Sequence, residues 1–150
     1  MIRVQETLFD PYAELQAFAR ANPGTGAIAN FVGLVRNEGN NVSALVLDHY
    51  PGFTEREIGK IDGEARARFA LADVLIIHRH GRMLADEPVV MVAVAAAHRK
   101  PALQAVDFLM DYLKTDAPFW KREEGPGGAR WIEPGGDDVA ARAGWEKVKP

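Results

Sequence analysis

An α+β fold with a mostly antiparallel sheet is the architecture this sequence predicts, and three observations lead to it. Apolar residues recur at helical spacing in some segments and alternate or run on continuously in others. Those segments follow the order β-α-β-β-α-β-β-α-β-α, which mixes hairpins with crossover helices. The 150 residues hold no internal repeat, low-complexity stretch or dividing linker, so 1–150 is expected to form one domain.

Taken in order, Ile2 to Leu8 alternates as a short strand, and Asp10 can cap a helix that has Pro11 in its first position. That helix, about 11–21, shows Leu15, Phe18 and Ala19 on one face and stops before NPGTG. TGAIANFVGLVRN is a strand ending at Arg36, whose glycines at 26 and 33 suggest bulges or close backbone approach. NEGNN reads as a turn into the strand SALVLDHY, so these two strands are expected to pair as an antiparallel hairpin. In PGFTEREIGKIDGEARARF, Thr54 with Glu57 fits a capping box, and Ile58, Ile61, Ala65 and Phe69 supply the apolar face.

DVLIIHRHG and PVVMVAVAAAH are the next strands, with MLADE as a turn between them. The second is apolar throughout, as a central strand covered on both faces must be. A long helix follows from about 101 to 116, with Leu103, Val106, Met110 and Leu113 at helical spacing. The rest is loop-rich, with one short strand around Trp131 and a last helix near 138–147 carrying Trp145.

Composition removes several functions. Hydrophobic residues at 47% and charged residues at 26% describe an ordinary globular chain. A net charge of −3 offers no general attraction to nucleic acid. No stretch approaches the roughly 18 apolar residues of a membrane span, and the start MIRVQETLFDP has no signal-peptide pattern, so a cytoplasmic location is expected. Cysteine is absent, which excludes disulfides, thiolate metal sites and a cysteine nucleophile. Any sulfur chemistry would need sulfur brought by another molecule.

Three places carry candidate chemistry. In AHRKPALQ, the cations His98, Arg99 and Lys100 stand at a helix N-terminus, where the backbone already carries partial positive charge. Two readings remain open there, an anion site or a solvated basic turn. Arg36 closes its strand either as a bidentate donor to an anion or as a surface cation.

In LKTDAPFWKRE, Lys114 and Lys121 lie seven residues apart on either side of Pro118. Lys114 suits a helix C-terminus electrostatically, so a structural role competes with a functional one. If the chain turns after Pro118 the two lysines can converge, with Phe119 and Trp120 as walls, and a desolvated lysine beside another cation has a lowered pKa. His78, His80 and His49 are read as structural, and no metal site is expected. No phosphate loop, zinc motif or serine elbow occurs, so no cofactor is expected.

GLVRN at 33–37, LDHYPGFTE at 47–55, IIHRHG at 76–81, AHR at 97–99 and MDYLKTDAPFWKRE at 110–123 together resemble the large, catalytic subunit family of molybdopterin synthase. The resemblance runs over about 2–133 and leaves 134–150 as a variable tail. It implies a hammerhead-type α+β fold and a homodimer within a heterotetramer. The partner it implies is a small ubiquitin-like sulfur carrier whose C-terminal Gly-Gly thiocarboxylate enters a pocket of the large subunit. Two sulfurs then pass to cyclic pyranopterin monophosphate, forming the dithiolene of molybdopterin.

Residue by residue, the resemblance implies catalytic roles for Lys114, at the carrier's tail, and for Lys121, at the substrate. It implies that Arg36, with Leu34 and Val35 before it, and His98 with Arg99 contact the anion and pterin, some of them from the neighbouring subunit. Arg122 and Glu123 are expected to line the same segment. The alternative is a module that docks a ubiquitin-like tail without catalysis.

Overall fold

The computed structural model describes residues 1–37, 39, 41–133 and 135–147. Its elements are β1 (Ile2–Gln5), α1 (Pro11–Ala21), β2 (Ala27–Leu34), β3 (Ala44–Asp48), α2 (Phe53–Arg68), β4 (Leu71–Arg79), β5 (Gly81–Leu84), β6 (Pro88–Ala96), α3 (Arg99–Thr115), β7 (Trp120–Gly125), β8 (Gly128–Ile132) and α4 (Gly136–Lys147). They form two four-stranded sheets, ordered β1-β4-β6-β2 and β5-β3-β7-β8. Only β1 against β4 is parallel; the other pairings are antiparallel, as the α+β reading requires.

The first sheet is the framework because its middle strands are apolar on both faces. Val74 and Ile76 of β4 and Val90, Val92 and Val94 of β6 face α2 and α3, meeting Ile58, Ile61, Phe108 and Leu109. The alternate residues Leu75, Ile77, Met91, Ala93 and Ala95 face the other way, onto Phe9 and Phe18 beside α1. Period-two alternation therefore divides one continuous apolar run between two cores.

The cap of α1 forms as expected, with Asp10 accepting from the N–H groups of Tyr12 and Ala13 at 2.9 and 3.2 Å. Both marked glycines mark close approach. A Cβ on Gly26 would lie 2.1 Å from the Ala97 carbonyl oxygen, and one on Gly33 would lie 2.8 Å from Val90. Between Gly33 and Leu34 the β2 register also shifts.

Several expectations change. β2 and β3 do not form a hairpin: β2 pairs with β6 and β3 with β5 and β7, in different sheets. The apolar β6 requires a neighbour on each edge, and β2 fills one before Val35 carries the chain out of that sheet. Glu38 and Asn40 of the expected NEGNN turn lie outside the described residues. The segment read as the turn MLADE begins with strand residues of β5, and β7 was not expected as a strand at all.

The α2 start is also different. Gly52 is the N-cap and its N–H donates to Glu55 at 2.7 Å, while Thr54 lies inside the first turn with its hydroxyl buried. On α3 the buried face is Ala102, Ala105, Phe108, Leu109, Tyr112 and Leu113, and Leu103 is exposed. The final helix is secured to α3: Trp145 Nε1 donates to Asp111 at 2.7 Å, and Arg142 holds Asp116 through Nε at 2.9 and 3.0 Å.

Candidate active site

The site is built where α3 ends and the second sheet begins. Asp116 N–H closes the last helical turn onto Tyr112 O at 2.7 Å, and Phe119 N–H returns to Ala117 O at 2.9 Å. That tight turn around Pro118 reverses the chain, and β7 starts at once, paired to β3 with Lys121 opposite Leu47. Directly opposed residues share a sheet face, so the Lys121 stem lies on the same side as buried Leu45 and Leu47.

Phe119 packs inward among Val35, Leu47 and Met83, with its ring stacked on His78 at 4.1 Å. Trp120 does not wall the lysines as expected. Strand alternation sends it to the opposite face, exposed, where it meets Trp131 edge to face at 6.0 Å.

The electrostatics of Lys121 report the convergence. Its pKa is lowered first by burial and then by the charge of Lys114, with Arg36 adding in the same direction and Glu123 and Asp138 opposing. The charges of Lys114 on α3 and of Arg36 after β2 thus both act on Lys121, which is itself exposed on β7. Lys114 is held there by Asp138 of α4, Nζ to Oδ1 at 3.0 Å. Asp138 was invisible to sequence reasoning because it lies in the tail set aside as variable, and only its ion pair identifies it.

The remaining candidates divide. Glu123 shares the Lys121 face and pairs with Arg130 at 3.1 Å. Arg36 and Glu123 line an open groove of about 650 Å³ between the β7–β8 hairpin and Arg36, Asn41 and Val42. Neither lysine lines that groove; Lys114 rims a separate hollow of about 370 Å³ with Phe31, Leu103 and Met110. Arg122 alternates to the opposite face, half-buried, 5.8 Å from the Trp131 ring centre.

Leu34 is exposed, whereas the Val35 backbone is already engaged, its N–H to Glu87 O and its carbonyl to Asp86 N–H, both at 2.9 Å. His98 and Arg99 are exposed at the start of α3. Fifteen residues of helix separate Arg99 from Lys114, about 22 Å, so one chain does not bring them together. His98 makes no side-chain cap, which leaves the first N–H groups of α3 without that partner.

Three other histidines make contacts within this chain. His78 is buried, and its imidazole is pushed down to about 4, chiefly by that burial. His49 and His80, unconnected in the sequence reading, lie with ring centres 3.8 Å apart and planes tilted by 31°. Among the described residues no group of three or more His, Cys, Asp or Glu is placed to hold a metal ion. No helix among them is long and apolar enough to cross a membrane.

The model of the MoaE protein family matches residues 4–116. The chain belongs to that family.

It is 49% identical over 148 residues to the molybdopterin synthase catalytic subunit of Pseudomonas aeruginosa, covering 97% of this chain and 99% of that one. It is 51% identical over 144 residues to the molybdopterin synthase catalytic subunit of Cereibacter sphaeroides, covering 96% and 99%. The solved molybdopterin biosynthesis MoaE protein of Burkholderia ambifaria superposes with a TM-score of 0.83 at 48% identity, over 99% of each chain. The MoaE family match itself takes in Lys114 and stops short of Lys121, whereas these relatives cover nearly the full length.

Proposed function

We propose that this chain is the catalytic subunit of a molybdopterin synthase, a sulfurtransferase of molybdenum cofactor biosynthesis. It moves sulfur from the C-terminal thiocarboxylate of a small ubiquitin-like carrier onto cyclic pyranopterin monophosphate, creating the dithiolene. The observation that carries the reading is the convergence of Lys114, Lys121 and Arg36 in a chain with no cysteine. The cations suit an anionic tail and an anionic substrate, and the missing thiol makes an external sulfur carrier necessary.

In this reading Lys114 receives the carrier's tail, exchanging the Asp138 carboxylate for the incoming thiocarboxylate. Lys121, with its lowered pKa, is the group suited to proton transfer at the substrate and to stabilising charge that develops there. Arg36 and Leu34 border the substrate. His98 and Arg99 serve the site of a second copy, because α3 holds them about 22 Å from their own Lys114. The working assembly is a homodimer with one carrier on each large subunit, in the cytoplasm.

The test mixes the chain with thiocarboxylated carrier and precursor and measures dithiolene product. Lys121→Ala and Lys114→Ala are each expected to lose at least about a hundredfold in turnover, the scale of a lost charged catalytic group. Carrier binding with no product from the parent would make the chain a docking module instead. Mixing Lys121→Ala with Arg99→Ala protein should regain activity that neither has alone, since a mixed dimer holds one intact shared site.

A further inference from the structure

The turn that brings Lys121 back toward Lys114 is held from outside by two residues of other elements. Thr54, in the first turn of α2, is fully buried. Its Oγ1 accepts the Tyr50 N–H at 3.0 Å, and its hydroxyl is directed to the Pro118 carbonyl at 3.4 Å, across 64 residues of chain. The His78 ring lies nearly parallel to the Phe119 ring, at 18° and 4.1 Å. His78 is fixed in turn by its Nδ1–H, which donates to the Arg79 carbonyl at 2.9 Å.

α2 has its N-terminal contact from Glu55 to the Gly52 N–H. A buried hydroxyl and a buried imidazole both cost desolvation that apolar side chains would avoid. What the two share is the Pro118–Phe119 step, Thr54 meeting the Pro118 carbonyl and His78 the Phe119 ring. Lys121 begins two residues later on a strand whose first residue is Trp120, so the direction of that peptide sets where the lysine stem enters the site.

We propose that Thr54 and His78 are positioning residues for Lys121, clamping the Pro118–Phe119 turn so that its amine is presented beside Lys114. This rests on the reading of Lys121 as a participant in sulfur transfer. A loosened clamp lets the ammonium swing away from Lys114 without unfolding the sheet, and turnover drops while carrier docking, which uses Lys114, is retained. The lowered Lys121 pKa agrees with the clamp, since the charge of Lys114 contributes to it.

The test follows Lys121 by NMR titration of lysine labelled at Cε, in the full chain, beside turnover with thiocarboxylated carrier. Thr54→Val keeps the shape and removes both polar contacts; Thr54→Ser keeps the hydroxyl. His78→Ala removes the stacking ring and His78→Phe retains it. Thr54→Val and His78→Ala are expected to raise the Lys121 titration toward that of an ordinary lysine and to lower kcat about tenfold with KM for the carrier unchanged. Thr54→Ser and His78→Phe should stay within about twofold of the parent.

Identical Lys121 titration in the parent, Thr54→Val and His78→Ala overturns the proposal, as does a loss in Thr54→Ser equal to that in Thr54→Val. Should Thr54→Val fail to fold, the His78 pair decides in the same way. If the parent makes no product the functional reading fails, and the titrations still decide the clamp.

Discussion

Lys114 donates to Asp138 at 3.0 Å, an ion pair spanning 24 residues that ties the last turn of α3 to the first turn of α4. Lys121 responds to both members, lowered by the lysine and raised by the aspartate. Removing one or the other should therefore move Lys121 in opposite directions. Lys114→Met is expected to raise its pKa and Asp138→Asn to lower it further, by NMR titration of the labelled side chain. Shifts of the same sign in both variants would break the electrostatic account of the site.

Acid should weaken the fold in a window set by His78. Its imidazole titrates at about 4 in the folded chain against an ordinary 6.5, because burial disfavours the charged form. Between those values the unfolded chain binds a proton that the folded chain refuses. Stability fully present above pH 6.5 is thus lost as pH falls toward 4, by about 3 kcal/mol from this residue. Urea unfolding at pH 7 and pH 5 checks it: His78→Phe should lose about 2 kcal/mol less than the parent between the two. Glu87, held below its usual range by the Arg79 hydrogen bond, acts only at lower pH, where its carboxylate protonates.

Arg79 should matter for stability and not for chemistry. Buried in β4, it donates from Nη1 to Glu87 at 2.9 Å and to the Pro88 carbonyl at 3.1 Å, and from Nε to the Glu6 carbonyl at 3.2 Å. Arg79→Ala leaves these acceptors without their donor and is expected to cost about 2–4 kcal/mol, with Glu87 still able to reach water. Denaturant unfolding measures the loss, and turnover of the folded fraction should be unchanged.

Two glycines should respond in opposite ways to alanine. At Gly26 the new methyl would stand 2.1 Å from a backbone carbonyl, so Gly26→Ala must shift β2 away from Ala97 and destabilise. Gly63 lies exposed inside α2 with nothing within 4 Å of its Cβ position. Gly63→Ala is expected to stabilise by about 0.5–1 kcal/mol through helix propensity. Thermal melts of the two variants suffice.

The parts of the fold that the sequence determined are those in which local chemistry and burial agree. Asp10 with Pro11 announces α1, and the apolar run at 88–96 announces a strand with a core on each face, because no other backbone state buries such a run so completely. β7 was illegible because WKREE carries four charged residues in succession after its aromatic, a composition that disfavours strand until β3 and β8 pair with it. The hairpin expected from β2 and β3 failed for a related reason. Sequence adjacency favours pairing, and the need of β6 for a second neighbour overrode it.

For the site, sequence supplied the residue types: Lys114, Lys121 and Arg36 among motifs that occur together, and a chain without a thiol. Only the tertiary structure decided which of them meet. Strand alternation put Lys121 on the face of Leu45 and Leu47 and Trp120 and Arg122 on the other, and the length of α3 carried His98 and Arg99 to its far end. The fold of the tail brought Asp138 onto Lys114. Local sequence dictates backbone periodicity and chemistry, but coincidence in space between residues on different elements is set by how those elements pack.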